Sequence, residues 1–396
     1  MKHRMPQKTV LSLMLLAAFG GAVVADAVAY DARSAERGGR KNSAKPEVRY
    51  PDATREEPKA KGSSKAQGKL SKLFKAYEKE DNDTETLTLA KDLLAEPNAN
   101  DYDKAMAAQL GAQAAYNLDD MATAKQLLRQ AVDLNALDNN GHYQSMMMLA
   151  QLQLQDDEFE PGMANLDRYL TETKSSRPED LIMKGQALYQ TEKFAEAIPV
   201  LEKAIAATPE PKDSWYSLLL ASYNEAGQPE KAVKLAEQQA AKNPTDKKSQ
   251  MNLVATYQQA DQFDKAAAIL EKLRAAGQLT DEKEYRQLYI TYANMDGKEK
   301  DVISVVNEGL QKGLLKQDYQ TYLALAQAYY YSEQVPQAIE AWQKAAPLAK
   351  DGETYLNLAR VLWQEGRIPE AKTAAQAALN KGLKKPEDAK KILALK

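Results

Sequence analysis

The chain has 396 residues, 44% apolar and 28% charged, with a net charge of −3, which is ample material for buried cores and reads as soluble and globular. It contains no cysteine, so thiol catalysis, zinc–thiolate sites, disulfides and a lipidated lipoprotein cysteine are excluded. Twenty Tyr stand beside only five Phe and three Trp, so the aromatic surface is mostly amphipathic.

The first predicted element is an address. Lys2, His3, Arg4 and Lys8 form a basic n-region, the apolar stretch "VLSLMLLAAF" follows, and small residues lead to "AVVAD" and "AVAYD". This is the layout of an export signal, residues 1–29, cut after Ala25 or Ala29, and it predicts a periplasmic protein. The run Val10–Val24 is shorter than the roughly 20 apolar residues a bilayer span needs. Residues 30–68 are nearly free of large apolar side chains and rich in Lys, Arg, Glu, Pro, Gly and Ser, which predicts a disordered arm. From Tyr30 to Lys69 eleven Lys/Arg face six Asp/Glu, giving +5; with +2 on residues 1–29, residues 70–396 carry −10. A basic arm thus precedes an acidic body, and the arm is a candidate contact for anionic lipid, envelope polymer or an acidic partner.

From residue 69 to 396 the chain repeats itself. Small or near-small residues recur at Ala90, Ala124, Gly162, Ala197, Ala232, Ala266, Asp301, Ala338 and Ala371, a period near 34, the length of one helix–turn–helix unit. Tyr223, Tyr257, Tyr292 and Tyr329 fall nine residues before these anchors, Phe159, Phe194 and Phe263 three before, and Pro209 and Pro244 twelve after. Two helices of a hairpin approach to about 8–10 Å only where the contacting side chains are small, so Gly185 on one helix and Ala197 on the next mark a seam. Gly227, Gly277, Gly313 and Gly366 punctuate the pattern where turns are needed. Each hairpin leaves an apolar face for its neighbour, so the predicted architecture is an all-α solenoid of about eight to nine hairpins.

The pattern resembles the tetratricopeptide repeat, which implies a right-handed superhelix of helical hairpins. In that family the first helix of each hairpin lines an inner groove. Carried onto this chain, the groove positions include Tyr189, Asn224, Gln258, Arg286, Asn294, Gln327, Tyr330, Tyr331, Arg360 and Trp363. Amides and aromatics suit an extended peptide, the first bonding its backbone and the second covering its side chains. Some family members clamp a C-terminal carboxylate with Lys and Asn; the corresponding places here hold Ile182 and Gln186, Ser217 and Ala221, and Met251 and Ala255, so that clamp is not expected.

Catalytic signatures are missing. There is no G-x-G-x-x-G, G-x-S-x-G or H-E-x-x-H; Gly62 and Gly68 have the wrong spacing for a phosphate loop, and Thr86 stands where a calcium loop needs Gly. The expectation is a non-enzymatic interaction scaffold with no cofactor, no metal and no nucleic-acid partner. Signal, short basic arm, imperfect repeats and the closing phrase "AALNKGLKKPEDAKKIL" together resemble tetratricopeptide proteins that accompany TonB–ExbB–ExbD energy-transduction systems. That resemblance implies a periplasmic helper of outer-membrane receptor transport whose partner is an inner-membrane-anchored component. The alternative is a scaffold for envelope assembly, in polysaccharide export, cell-wall enzyme recruitment or outer-membrane protein insertion.

Overall fold

Every regular element among the described residues is a helix. The computed structural model describes residues 48–59 and 61–396; the expected signal, 1–29, and the beginning of the expected arm, 30–47, lie outside the described residues. The chain divides into two compact units, at Ser222 and Tyr223. Described helices of the first are α1 (Gln67–Tyr77), α2 (Asp83–Leu94), α3 (Asp101–Asn117), α4 (Met121–Leu134), α5 (Asn139–Gln155), α6 (Phe159–Thr173), α7 (Pro178–Gln190), α8 (Phe194–Ala206) and most of α9 (Asp213–Glu225). The second holds α10 (Pro229–Lys242), α11 (Lys247–Gln259), α12 (Phe263–Ala275), α13 (Glu282–Ala293), α14 (Glu299–Gln311), α15 (Tyr319–Tyr331), α16 (Val335–Ala345), α17 (Glu353–Gln364), α18 (Ile368–Lys381) and α19 (Glu387–Leu393). Helix packs on the next helix along the sequence, α3 on α4 and α4 on α5, α15 on α16 and α16 on α17, which is the quasi-one-dimensional order of a helical-repeat solenoid. No described helix is long and apolar enough to cross a membrane.

The small residues make room for leucine. A Cβ built on Gly185 would lie 2.6 Å from Leu201 Cγ, and Leu201, Ala197 and Ala204 are fully buried in α8. A side chain at 185 would have to displace Leu201, which is fully buried in that seam.

Backbone conformation fixes the repeat register independently of side-chain size. One residue in the left-handed region ends the first helix of each hairpin: Asp81, Asp119, Asp157, Glu192, Gly227, Asp261, Gly297, Glu333 and Gly366. In seven of these hairpins, all but those at Asp81 and Gly297, the next N–H bonds a carbonyl five residues back, as Lys193 does to Leu188 and Gln262 to Tyr257, both at 2.8 Å, closing the helix by the Schellman pattern. Five residues past the left-handed position lie Ala124, Gly162, Ala197, Ala232, Ala266, Ala338 and Ala371, all buried. In two hairpins the position differs from the sequence expectation: it is Thr86 rather than Ala90, and Val302 rather than Asp301, with Thr86 1% and Val302 3% exposed. A β-branched side chain occupies those seams, and size alone misreads them.

Residues 48–59 depart from the expected arm. Tyr50 to Ala53 form a turn with Pro51 in its second place, and Ala53 N–H donates to Tyr50 C=O at 3.3 Å. Tyr50 sets its ring against Tyr143 of α5 and Tyr169 of α6, at centroid distances of 5.2 and 5.9 Å. Arg55 donates to Asn135 Oδ1 and Asn139 Oδ1, each at 2.7 Å, and to the carbonyls of Asn135 and Leu137. Thr54 N–H donates to Glu172 C=O at 2.8 Å, and Glu57 accepts from Asn139 N–H at the start of α5. Further on, Ser63 N–H donates to Asp103 Oδ2. The segment has too little apolar surface to fold alone, but one aromatic ring and one guanidinium fork suffice against a surface already folded.

Candidate protein-binding surface

The re-registered hairpins align the first-helix side chains of the second unit. Eight residues before the corrected anchors stand Asn224, Gln258, Asn294, Tyr330 and Trp363, one per hairpin. Each links to the first helix of the next hairpin or lies exposed. Asn224 Nδ2 donates to Gln259 Oε1 at 2.6 Å, Gln258 Nε2 to Thr291 Oγ1 at 2.6 Å, and Tyr330 OH to Gln364 Oε1 at 3.4 Å. Gln287 Nε2 returns a bond to Gln258 Oε1 at 2.9 Å. Asn294 Nδ2 turns back to the Ile290 carbonyl of its own helix.

Two of the expected groove cations are held within the fold. Shifting the α13 anchor by one residue turns each position about 100° around the helix, so Gln287 and Thr291, not Arg286, take the expected groove places. Arg286 is half-buried and donates to Glu282, Gln320, Asp318 and Tyr289 OH, all within 3.0 Å. Its carboxylate and tyrosine partners hold its guanidinium charged against the opposing effect of burial. Arg360 donates to Asn357 and to Asp388 of α19, at 3.0 and 2.8 Å. Tyr189 belongs to the first unit, half-buried edge-on to Phe194 at 5.1 Å.

Large apolar side chains stay open on this face. Tyr331 is 71% exposed and Trp363 and Ile290 44% each, and Gln327 on α15 is exposed beside them in sequence. Tyr331 meets Tyr330 edge-on at 5.6 Å, and Tyr330 in turn lies 5.4 Å from the buried Trp342 of α16. The exposed ring is therefore held on a buried aromatic base, which lowers the entropy lost when a partner covers it. Ile290, eleven residues before Asp301, is neither amide nor aromatic and was not among the residues expected to line the groove.

First-helix tyrosines and the carboxylates and lysines of the second-helix side form a polar lattice with the same period. Tyr257 OH donates to Glu237 at 2.7 Å, Tyr292 OH to Glu271 at 2.8 Å and Tyr285 OH to Glu308 at 2.8 Å. Lys265 sits 5.2 Å from the Tyr257 ring, Lys231 5.7 Å from Tyr223 and Lys298 5.8 Å from Tyr292. Burial and the bond to Glu237 push the Tyr257 hydroxyl up to about 12. Burial alone would raise the Glu308 carboxyl, but bonds from Arg274, Lys312 and Tyr285 outweigh it and hold it at about 2. Among the described residues no group of three or more His, Cys, Asp or Glu is arranged to hold a metal ion. In the first unit a cavity of about 10 Å³, room for one water, is lined by Gln109, Gln113, Gln144 and Ser145.

Profiles described as tetratricopeptide repeat match residues 182–249 and 323–389, and a second such profile matches 223–289. No curated protein matches the chain. Among solved structures, a tetratricopeptide repeat protein from Parabacteroides merdae is 12% identical, covering 65% of this chain and 98% of that one, with a TM-score of 0.41. The C-terminal part of a repeat-containing protein from Cytophaga hutchinsonii is 14% identical, covering 70% and 95%, with a TM-score of 0.42. MamA from Desulfovibrio magneticus is 20% identical, covering 45% and 98%, with a TM-score of 0.37.

Proposed function

Because residues 182–289 and 323–389 carry tetratricopeptide repeats, in general non-catalytic scaffolds for protein partners, we propose that the first-helix face of the second unit binds an extended segment of another protein. The observation that carries this reading is the pair of exposed aromatics, Tyr331 and Trp363, on first helices where Asn224 and Gln258 are already engaged with neighbouring side chains. Large exposed aromatics are the side chains from which interfaces gain most.

The partner we propose is an inner-membrane-anchored component of a TonB-type energy-transduction system, with this chain as an exported periplasmic accessory. Support comes from the basic n-region, apolar run and small residues of positions 1–29, and from the closing phrase "AALNKGLKKPEDAKKIL". Photo-crosslinkers placed in cells at positions 331 and 363 are expected to capture TonB- or ExbB-type proteins, while one at Glu340, exposed on α16, is not. Capture of polysaccharide-export or cell-wall proteins at 331 and 363 would replace this partner with envelope assembly. Equal capture from 340 would overturn the surface itself.

A further inference from the structure

Beneath the docked segment of the first unit lies a histidine with nothing to bond. His142, in the first turn of α5, is 0% exposed, and neither ring nitrogen has a hydrogen-bond partner among the described residues. Its ring meets that of Tyr143 edge-on at 5.3 Å. Charged groups bear on it from each side: Arg55 from the docked segment, and Arg168 and Glu172 from α6. On its own helix, Asp138 caps the N-terminus by accepting from Gly141 N–H at 2.7 Å. Glu172 is the group that favours a charged imidazole; its Oε1 accepts from Arg168 Nε at 2.7 Å, and its buried Oε2 bonds neither Arg168 nor His142.

We propose that residues 48–59 form an acid-released latch on the first unit, with protonation of His142 as its trigger. An imidazolium at this place would be buried, unbonded and next to two guanidiniums. Burial first, and Arg55 and Arg168 after it, accordingly hold the imidazole down to about 4. The charge is relieved either by opening the α5–α6 packing or by lifting the segment that carries Arg55. Lifting is the smaller change. The segment is tied to α6 through Thr54 and Glu172, to α5 through Arg49, Glu57 and Asn139, and to the α4–α5 connection through Arg55, while Pro51, Asp52, Thr54 and Glu56 are already exposed. Its release admits water to His142 and bares the edges of Tyr143 and Tyr169 that Tyr50 covers. The latch lies in the first unit and does not depend on the surface around Tyr331.

The absence of cysteine makes the test direct, since Val48→Cys, at a position 69% exposed, gives a single site for a spin label on the full chain. Acidification is expected to free the label between pH 6.5 and 4 while the far-ultraviolet helical signal stays unchanged. His142→Gln should lower the midpoint of release by at least about one pH unit. A label that stays immobile down to pH 4, or the same midpoint in both chains, overturns the latch. Should His142→Gln fail to fold, the unsubstituted imidazole decides: its titration, followed by NMR as one of two histidine signals, must coincide with release, and separated midpoints overturn the proposal.

Discussion

The two units solve the same packing problem with different materials. In the first, the hairpin α5–α6 buries Tyr143, Tyr169 and His142 and is covered by an extended segment from far along the chain. In the second, Tyr, Glu and Lys recur with the repeat and bind each hairpin to the next, as Tyr257 does to Glu237 and Tyr292 to Glu271. Coverage by a detachable segment concentrates stability in a few aromatic contacts and one buried neutral histidine. A lattice of charge-assisted bonds spreads it over many exposed pairs, each worth little alone, and leaves apolar rings such as Tyr331 and Trp363 free at the surface.

That contrast can be broken at several points. The largest expected effect is Tyr169→Ala, which removes a ring 1% exposed and should cost about 3–5 kcal/mol, read by hydrogen exchange as loss of protection in α5 and α6 while α11–α18 keep theirs. Acid should separate the units next. His142 has its folded value near 4, below the 6.5 of the unfolded chain, so the unfolded state takes up protons first and stability falls as pH drops through that window, by up to about 3 kcal/mol. Glu308, lowered from 4.5 to about 2, contributes stability present above 4.5 and lost toward 2, so α13 and α14 should hold their exchange protection at pH 5 after α5 and α6 have begun to lose theirs.

Smaller effects sharpen the register. Ala197→Leu overfills the seam that Leu201 occupies and should lower stability by about 1–3 kcal/mol in thermal unfolding, whereas an unchanged melting temperature would count against the pairing of Gly185 with α8. Glu333→Gly, at a φ of 61°, removes a side chain from the left-handed region and should raise stability by about 1 kcal/mol. Trp363→Ala should change stability by no more than about 0.5 kcal/mol, since the ring is 44% exposed, while crosslinking to a partner from position 331 falls.

Much of the repeat was legible before any coordinates. Ala197, Ala232, Ala266, Ala338 and Ala371 announce their seams because a close helix approach tolerates little else there, and Tyr223, Tyr257 and Tyr329 mark the helix ends whose carbonyls close the Schellman turns. Ala90 and Asp301 misled because Thr86 and Val302 fill the same place with larger side chains. The groove residues were legible as polar or aromatic but not as free or engaged. Whether Gln258 meets a ligand or Thr291 depends on a neighbour one repeat away, and Arg286 looked available until Asp318 and Glu282 were placed beside it.

The sequence by itself determined the helices, their period and the small residues of most seams, because each of these is set by physics acting within one hairpin. Only the tertiary structure decided that residues 48–59 leave the company of a basic arm and cover α5–α6, and which rings of the second unit remain at the surface. The reason is range. Thr54 bonds Glu172 across 118 residues and Arg55 bonds Asn135 across 80, and no local pattern of charge or hydropathy encodes a partner that far along the chain.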